Sequence, residues 1–345
     1  MIFEPWYQNS ATEETQILSS RVRLARNLSN FPFYKKLSEG DAITIVSTAE
    51  GVVGKINAQR PDDPLVAQDL RPMDQQILLE KHILSPKYLD TALYKGVFVD
   101  MHQNISVMVN EEDHIRIQAV CAGDNLPQAL AAANKVDDLL EEYLDFAFDK
   151  NFGYLTAFPT NVGTGLRASY MMHLPCLERT NLLKKLFPYI IESGMTLRGI
   201  YGEGTISMGS IYQLSNQITL GKNETQIIKN LSAVAKNVMR RENQALGAIE
   251  TKKPGYLQDR AYRAYGVLTN ARTLSVKETM AYLSDIRLGF FANLLDLPKP
   301  SIPIYQIMME IQPGHLHLAA GDILDERETD IARACYCRSV LRQDR

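Results

Sequence analysis

The stretch GVFVDMHQNISVMVNEEDHIRIQAV, Gly96 to Val120, decides the fold. Ile105, Val107 and Val109 alternate with less apolar partners, and Ile115, Ile117 and Ala119 do the same. A period of two is the mark of strands that turn one face to a core, and two such runs in succession read as an antiparallel meander. Further along, the period changes to that of helices. Val136, Leu139, Leu140, Tyr143 and Ala147 form one apolar stripe, and Ile227, Leu231, Val234 and Val238 form another behind an Asn223 cap. The chain has no β-α-β alternation, so the expected class is α+β, an antiparallel sheet flanked by helices and followed by a helical C-terminal domain. Proline-containing segments punctuate it at AQRPDDP, TKKPGY and LPKPSIP. The main boundary falls at TKKPGY, giving domains 1–253 and 258–345. The second ends with Ile331, Ala334, Cys337 and Leu341 expected on one helix face.

Composition narrows the function classes. A chain of 345 residues, 45% of them hydrophobic, can bury a real core. Its 37 basic residues are balanced by 40 acidic ones with no long basic run, which argues against nucleic acid as a partner and requires any basic site to be local. The N-terminus lacks the pattern of a secretory signal, and no segment approaches the roughly 20 apolar residues that cross a bilayer, so a cytoplasmic protein without a membrane partner is expected. Cys121, Cys176, Cys335 and Cys337 make neither a C-x-x-C pair nor a zinc spacing. They read as reduced structural thiols, with no protein-bound metal centre expected.

The usual nucleotide loops are also excluded. In PTNVGTGLRAS, Pro159 to Ser169, Gly163, Gly165 and Ala168 have the G-x-G-x-x-A spacing of a dinucleotide fingerprint. That fingerprint needs a hydrophobic strand directly before it and a helix directly after, whereas the approach here, TAFPTN, reads as a turn. Gly221-Lys222 lacks both the glycine five places earlier and the following Ser or Thr of a Walker A loop. Protein-kinase H-R-D and D-F-G elements are absent.

What distinguishes the chain is the placement of its arginines. In ILSSRVRLARN, strand alternation puts Arg21 and Arg23 on one face and Val22 and Leu24 on the other. Two guanidinium groups side by side repel unless an anion sits between them. In NEEDHIRI the same rule gathers Glu112, His114 and Arg116 opposite Ile115 and Ile117. Arg167 follows two glycines that let the backbone approach a ligand, and Arg198 stands beside Gly199 in LRGIYGEG, ahead of Glu203. Guanidinium groups bind phosphate oxygens bidentately and keep their charge at any working pH. The plainer alternative for each is a pairing with surface carboxylates.

SSRVRLARN, NEEDHIRI, PTNVGTGLRAS and RGIYGEG, in this order, closely resemble the catalytic motifs of the ATP:guanidino phosphotransferases, the family of creatine kinase and arginine kinase. LEKHILSP, IYQLSNQITLGK and GYLT are similar to its bacterial protein-arginine kinase branch, the McsB type. The resemblance covers nearly the whole chain. It implies ATP and Mg2+ as cofactors, the ion bridging phosphates with few direct protein ligands. Its nucleotide-side residues map to Ser19, Ser20, Arg21, Val22 and Arg23, to His82 and Arg116, and to Arg167, Ala168, Ser169, Tyr170 and Met171. A last segment supplies Arg198, Gly199, Ile200, Tyr201, Gly202 and Glu203. Glu112 and Glu203 become the catalytic carboxylates that orient the acceptor guanidinium and remove its proton, Glu111 faces metal-bound water or caps the turn, and Asp113 is structural. The activity implied is phosphoryl transfer to arginine side chains of proteins, marking them for Clp-type degradation in stress quality control. Its implied partners are protein substrates with exposed arginines, a second copy in a homodimer, a McsA-type activator and a ClpC-type unfoldase.

The sequence departs from the family in three places. Only 18 residues precede Ser19, where small-guanidine members carry a helical lid domain, which implies an open acceptor site. Phe158 stands before Pro159-Thr160-Asn161 where the family has cysteine. The phosphoarginine signature R-D-x-x-R-A becomes TDIARA, Thr329 to Ala334, keeping Asp330 and Arg333 as candidates while Arg327 is displaced from the leading position. A helix-surface ion pair is the alternative for Asp330 and Arg333. For the whole protein, the alternatives are a catalytically weak adaptor that binds nucleotide or phosphoarginine, and a kinase for a small free guanidine.

Overall fold

A computed structural model describes residues 6–8, 15–68, 71–90, 92–102, 104–200 and 207–342. The chain divides into two compact units. The first is built mainly from Ser19–Ser169 and Ser215–Leu231, the second from Tyr7–Leu18, Tyr170–Leu214 and Ser232–Arg345.

The first unit takes most of β1 (Ile17–Arg26), then α1 (Glu39–Gln59), β2 (Val66–Ala67), α2 (Pro72–Glu80), α3 (Pro86–Asp90), β3 (Gly96–Val99), β4 (Ile105–Val109) and β5 (Ile115–Ala122). After these come α4 (Leu126–Glu141), a two-stranded hairpin of β6 (Phe148–Asp149) and β7 (Gly153–Tyr154), and the start of β8 (Leu166–His173). Its sheet runs β2-β3-β4-β5-β1-β8. The meander is antiparallel as expected, Val107 facing Ile117 between β4 and β5 and Phe98 facing Val107 between β3 and β4. Its alternation, however, does not leave one face wet. Every residue of β4 is buried, Ser106 and Met108 included. Helices α1 and α4 pack on β4 and β5, while Leu78, Ile83, Leu84 and Tyr88 close over Val97, Val99 and Met108. The stripe expected from Val136 onward begins earlier, at Leu126, Ala129 and Ala133, behind a proline in the first turn. It ends with the helix, leaving Tyr143 exposed beyond it.

The second unit holds the rest of β8 with β9 (Met195–Gly199) and β10 (Ile211–Asn216) in the order β8-β10-β9, and α5 (Pro175–Arg179) and α6 (Leu183–Glu192) lie between β8 and β9 in sequence. Helix α7 (Glu224–Lys252) starts in the first unit and ends in the second. Asn223 does cap it, accepting from the Gln226 N–H at 2.8 Å while the Gln226 side chain accepts from the Asn223 N–H at 3.0 Å. Then follow α8 (Tyr256–Leu268), α9 (Val276–Phe291), α10 (Ile304–Glu310), α11 (Pro313–Ala320) and α12 (Glu326–Leu341), the all-helical tail that the periodicity predicts. Helices α8 and α9 pack together through Gly289, where a Cβ would come within 2.8 Å of the Ala261 and Leu295 side chains. The face of α12 differs from expectation: Ala334, Cys337 and Leu341 are buried, but Ile331 is exposed and Arg333 takes a place in the core.

Candidate active site

Strand β1 carries two sets of side chains. Val22 and Leu24 are wholly buried on one face, and Arg21, Arg23 and Ala25 lie on the other. Antiparallel register with β5 sets Ala25 opposite Arg116 and Arg23 opposite Gln118, which makes Arg23 and Arg116 diagonal neighbours. Strand β8 brings Arg167, just past Gly165, whose carbonyl accepts from the Ala25 N–H at 3.0 Å. Arg23, Arg116 and Arg167 line one cavity together with Glu111, Glu112 and Asn161. Burial first, and then the charges of Arg116, Arg21 and Arg167, push the Arg23 guanidinium well below its ordinary pKa, with Glu111 acting in the opposite direction. Arginine does not give up its proton, so Arg23 stays charged in a buried place beside three other guanidinium groups, where an anion would be favoured. The Nε of Arg23 is buried with no hydrogen-bond partner among the described residues. A cavity with this lining fits a polyphosphate.

One carboxylate holds the cluster together. Glu111 is buried and forms an ion pair with Arg116 through Oε1, which also accepts from the Ser85 hydroxyl, while Oε2 accepts from the Glu112 N–H at 3.0 Å. Burial alone would raise its pKa, but Arg116 and these hydrogen bonds hold it below the usual carboxylate value. Glu111 therefore orients an arginine and braces the turn. Its neighbour Asp113 is structural, as expected: its Oδ1 accepts from Asn27 Nδ2 and from the Ala157 N–H, both at 2.6 Å.

Glu112 lies on the cavity wall, paired with Lys87 Nζ at 2.5 Å. The alternation expected through NEEDHIRI begins only at Ile115, because Asn110 has a left-handed φ of 59° and residues 110–114 form a turn. Glu112 and Arg116 still reach the same cavity, but His114 does not join them. It is fully buried, its Nδ1 accepting from the Leu28 N–H at 3.0 Å and its Nε2 lying 3.1 Å from the Pro32 carbonyl, which fixes a neutral ring. His82, with φ 58°, is likewise neutral, its pKa pushed down to about 3 by burial and by Arg21.

The glycine-rich loop answers to packing rather than to a dinucleotide. It leads into a strand, not a helix. Gly165 has φ +66°, and a Cβ there would sit 2.5 Å from Arg26 Nη1 and 2.6 Å from the Ala25 carbonyl. Arg26 is the residue that alternation should have flagged, since it falls on the Val22 and Leu24 face. It pairs with Asp137 at 2.5 Å, donates to the Ala25 and Thr164 carbonyls, and lies 3.5 Å over the Tyr154 ring. Ser85 stands in LEKHILSP with no role assigned to it there, and Lys87 carried no sequence signal.

Other candidate positions support the strands. Ser20 donates to the Gly123 carbonyl at 2.6 Å and accepts from the Asn125 N–H at 2.8 Å. Ser19, Val22, Ala168, Ser169, Tyr170 and Met171 are buried, the Ala168 N–H donating to Asn216 and the Tyr170 hydroxyl meeting Ser232. Arg198 is exposed on β9, followed by Gly199 and by Ile200, whose N–H donates to the Ile211 carbonyl at 3.0 Å. Tyr201, Gly202 and Glu203 lie outside the described residues. In the second unit Arg333 is no surface ion pair. It is buried, donating to the Ile311 carbonyl at 2.9 Å and the Leu274 carbonyl at 2.8 Å, and pairing with Asp330. Among the described residues, no cluster of three or more His, Cys, Asp or Glu side chains is arranged to hold a metal ion.

Residues 44–245 match the family described as ATP:guanido phosphotransferase, C-terminal catalytic domain, and residues 254–345 match the protein-arginine kinase McsB C-terminal domain. The chain is 44% identical over 341 residues to the protein-arginine kinase of Symbiobacterium thermophilum, covering 97% of this chain and 96% of that protein. It is 41% identical over 344 residues to that of Bacillus subtilis, covering 97% and 93%. Among solved structures it is similar in fold to lombricine kinase, with a TM-score of 0.58 at 21% identity over 70% of this chain and 69% of that one. It is also similar to the duplicated taurocyamine kinase of Schistosoma mansoni, with a TM-score of 0.59 at 22% identity over 90% of this chain and 47% of that one. With its arginine-lined sheet and the match over most of its length, the chain belongs to the ATP:guanido phosphotransferase family.

Proposed function

We propose that this protein transfers the γ-phosphoryl group of ATP to the guanidinium of arginine side chains in proteins. The observation that carries the reading is the cavity itself, lined by Arg23, Arg116 and Arg167 together with Glu112, with Glu111 paired to Arg116. Arginines would bind the phosphate oxygens of ATP and the developing charge on the moving phosphoryl group, work for which fixed, preorganised cations are suited. Magnesium, when bound, would neutralise charge across the phosphates. By resemblance, Arg198 joins the phosphate-binding set and Glu203 shares the acceptor with Glu112.

A guanidinium is a poor nucleophile because its lone pairs are delocalised and its proton is held tightly. Glu112 would accept its N–H edge and take one proton as the nitrogen attacks the γ-phosphorus. An N–P bond forms while the P–O bond to the β-phosphate breaks, and its electron pair leaves with ADP. We assign catalysis to residues 1–253 and propose that 258–345 serves dimerisation. Substrates with exposed arginines, delivery to a ClpC-type unfoldase, a McsA-type activator and a cytoplasmic location belong to the same reading. None of the described helices is long and apolar enough to cross a membrane.

A second reading, a catalytically weak adaptor, draws on Phe158 in place of the family cysteine. Incubating the chain with magnesium, ATP and either casein or free arginine, followed by mass spectrometry under acid-free conditions, separates the two. Acid-labile phosphate on casein arginines supports the kinase. Labelling confined to free arginine overturns the protein-directed activity, and tight ATP binding without any transfer favours the adaptor.

A further inference from the structure

Two of the three acidic residues in the NEED turn brace neighbouring segments, and the third stands between them. Glu111 accepts from Ser85, whose hydroxyl also accepts from the Tyr88 N–H at 3.1 Å and so fixes the start of α3. Asp113 holds the Ala157 N–H and with it the chain entering Phe158, whose carbonyl accepts from the Thr156 hydroxyl at 2.8 Å and the Asn161 N–H at 3.0 Å. Between these two braced segments stands Glu112. Lys87, from α3, reaches across so that its Nζ is 2.5 Å from Glu112 Oε1 and 4.2 Å from the centre of the Phe158 ring. Phe158 is 38% exposed, so it lies at the surface rather than in the core. The Lys87 side chain is 47% exposed and has a route into water.

We propose that Glu112 and Phe158 form a cation seat for the acceptor, that Lys87 fills it in the resting protein, and that an incoming arginine must displace Lys87 to be phosphorylated. The inference rests on the kinase reading for the identity of the acceptor. A carboxylate beside an aromatic face recognises a cation twice, by charge-assisted hydrogen bonds and by the ring quadrupole. A planar guanidinium can lie flat on the ring while its edge meets the carboxylate; an ammonium is a point charge with no plane to stack. Arginine is thus the better ligand, but Lys87 has the advantage of a tether, which gives it a high local concentration. The seat would filter out weak cations and admit arginine. Phe158 then takes the place of a charged thiolate with a neutral surface that selects for shape, and Lys87 balances the Glu112 charge until substrate arrives.

The test is titration calorimetry of an arginine-containing peptide into the full chain, with casein labelling by ATP run in parallel. Removing the resident cation with Lys87→Met should tighten peptide binding by about tenfold, appearing in turnover as a lower KM. Phe158→Leu should weaken binding by about threefold or more, and the same peptide with lysine in place of arginine should lose far more affinity for the unmutated chain than for Phe158→Leu. Binding that is unchanged or weaker in Lys87→Met, or absent from both it and the unmutated chain, would overturn the seat. Unlabelled casein alongside the expected affinities would instead sink the kinase reading and leave the seat standing.

Discussion

Arg23 and Arg26 are the same residue on the same strand with opposite duties. Arg23 lines a cavity beside Arg116 and Arg167, while Arg26 is buried against Asp137 and the Tyr154 ring and donates to the Thr164 carbonyl of the glycine-rich loop. Alternation along β1 separates them, since odd and even positions emerge on different faces. The loop's dependence on Gly165 follows from the same contact. Gly165→Ala should lower the melting temperature, with a cost of about 1–3 kcal/mol from the left-handed φ alone before the clash with Arg26 is added. Differential scanning calorimetry checks this, and an unchanged Tm would mean that the loop packs differently. At Glu112 the expected effect is on chemistry. Glu112→Gln keeps the shape but loses the base, so transfer should fall by about a hundredfold or more while ATP affinity, read by equilibrium binding, stays intact. Full turnover in this variant would remove Glu112 from its role.

Helix α12 carries Asp330 and Arg333, the phosphoarginine-site candidates for which an ion pair is the alternative. Arg333 ties the helix to the carbonyls of Leu274 and Ile311, just ahead of α9 and just behind α10, while the Asp330 carbonyl accepts from the Leu274 N–H. The helix is set by an Asp325–Glu328 capping box at its start and by this buried clasp. Arg333→Leu would strand two buried carbonyls and should cost about 2 kcal/mol or more. Amide hydrogen exchange would register it as faster exchange through α12 with little change in β4. Equal protection of α12 in variant and parent would show that the clasp contributes little.

Across the whole molecule, stability should depend on pH through buried groups of opposite sign. His82, His114 and His173 are held neutral, their pKa values lowered by burial, with Arg21 adding to the effect on His82 and Arg287 and Arg179 to that on His173. The unfolded chain takes up protons on these rings first as pH falls below about 6.5, so their contribution is complete above that value and is lost toward acid. Glu242, buried beneath the N-terminus of α5, has its pKa pushed up to about 7, although the Cys176 and Leu177 N–H groups it accepts from at 2.7 and 2.8 Å favour the charged form. Its contribution is complete below about 4.5 and is lost as pH rises through 7. The two slopes oppose each other between about pH 4.5 and 6.5. Glu242→Gln should remove part of the opposition to the histidines, leaving that from Asp100, Asp113 and Asp137, so Tm should climb more steeply from pH 5 to pH 7 than in the parent. Thermal melts at closely spaced pH values check this, and parallel curves would reject the role of Glu242.

What the sequence determined by itself was what local geometry dictates: the antiparallel meander around Val107 and Ile117, the Asn223 cap, the all-helical tail, and the placement of Arg21 and Arg23 opposite Val22 and Leu24. These follow from backbone periods of 2.0 and 3.6, which any short window of residues expresses. Tertiary structure decided which distant segments meet. Nothing local places β1 between β5 and β8, and only that order brings Arg23, Arg116 and Arg167 into one cavity. It also decided that β4 is covered on both faces, that Arg333 is buried while Ile331 is not, and that Lys87 sits against Glu112 and Phe158. Such contacts depend on long-range burial and on charges finding partners across the fold, and a lysine or arginine in sequence carries no sign of which partner that will be.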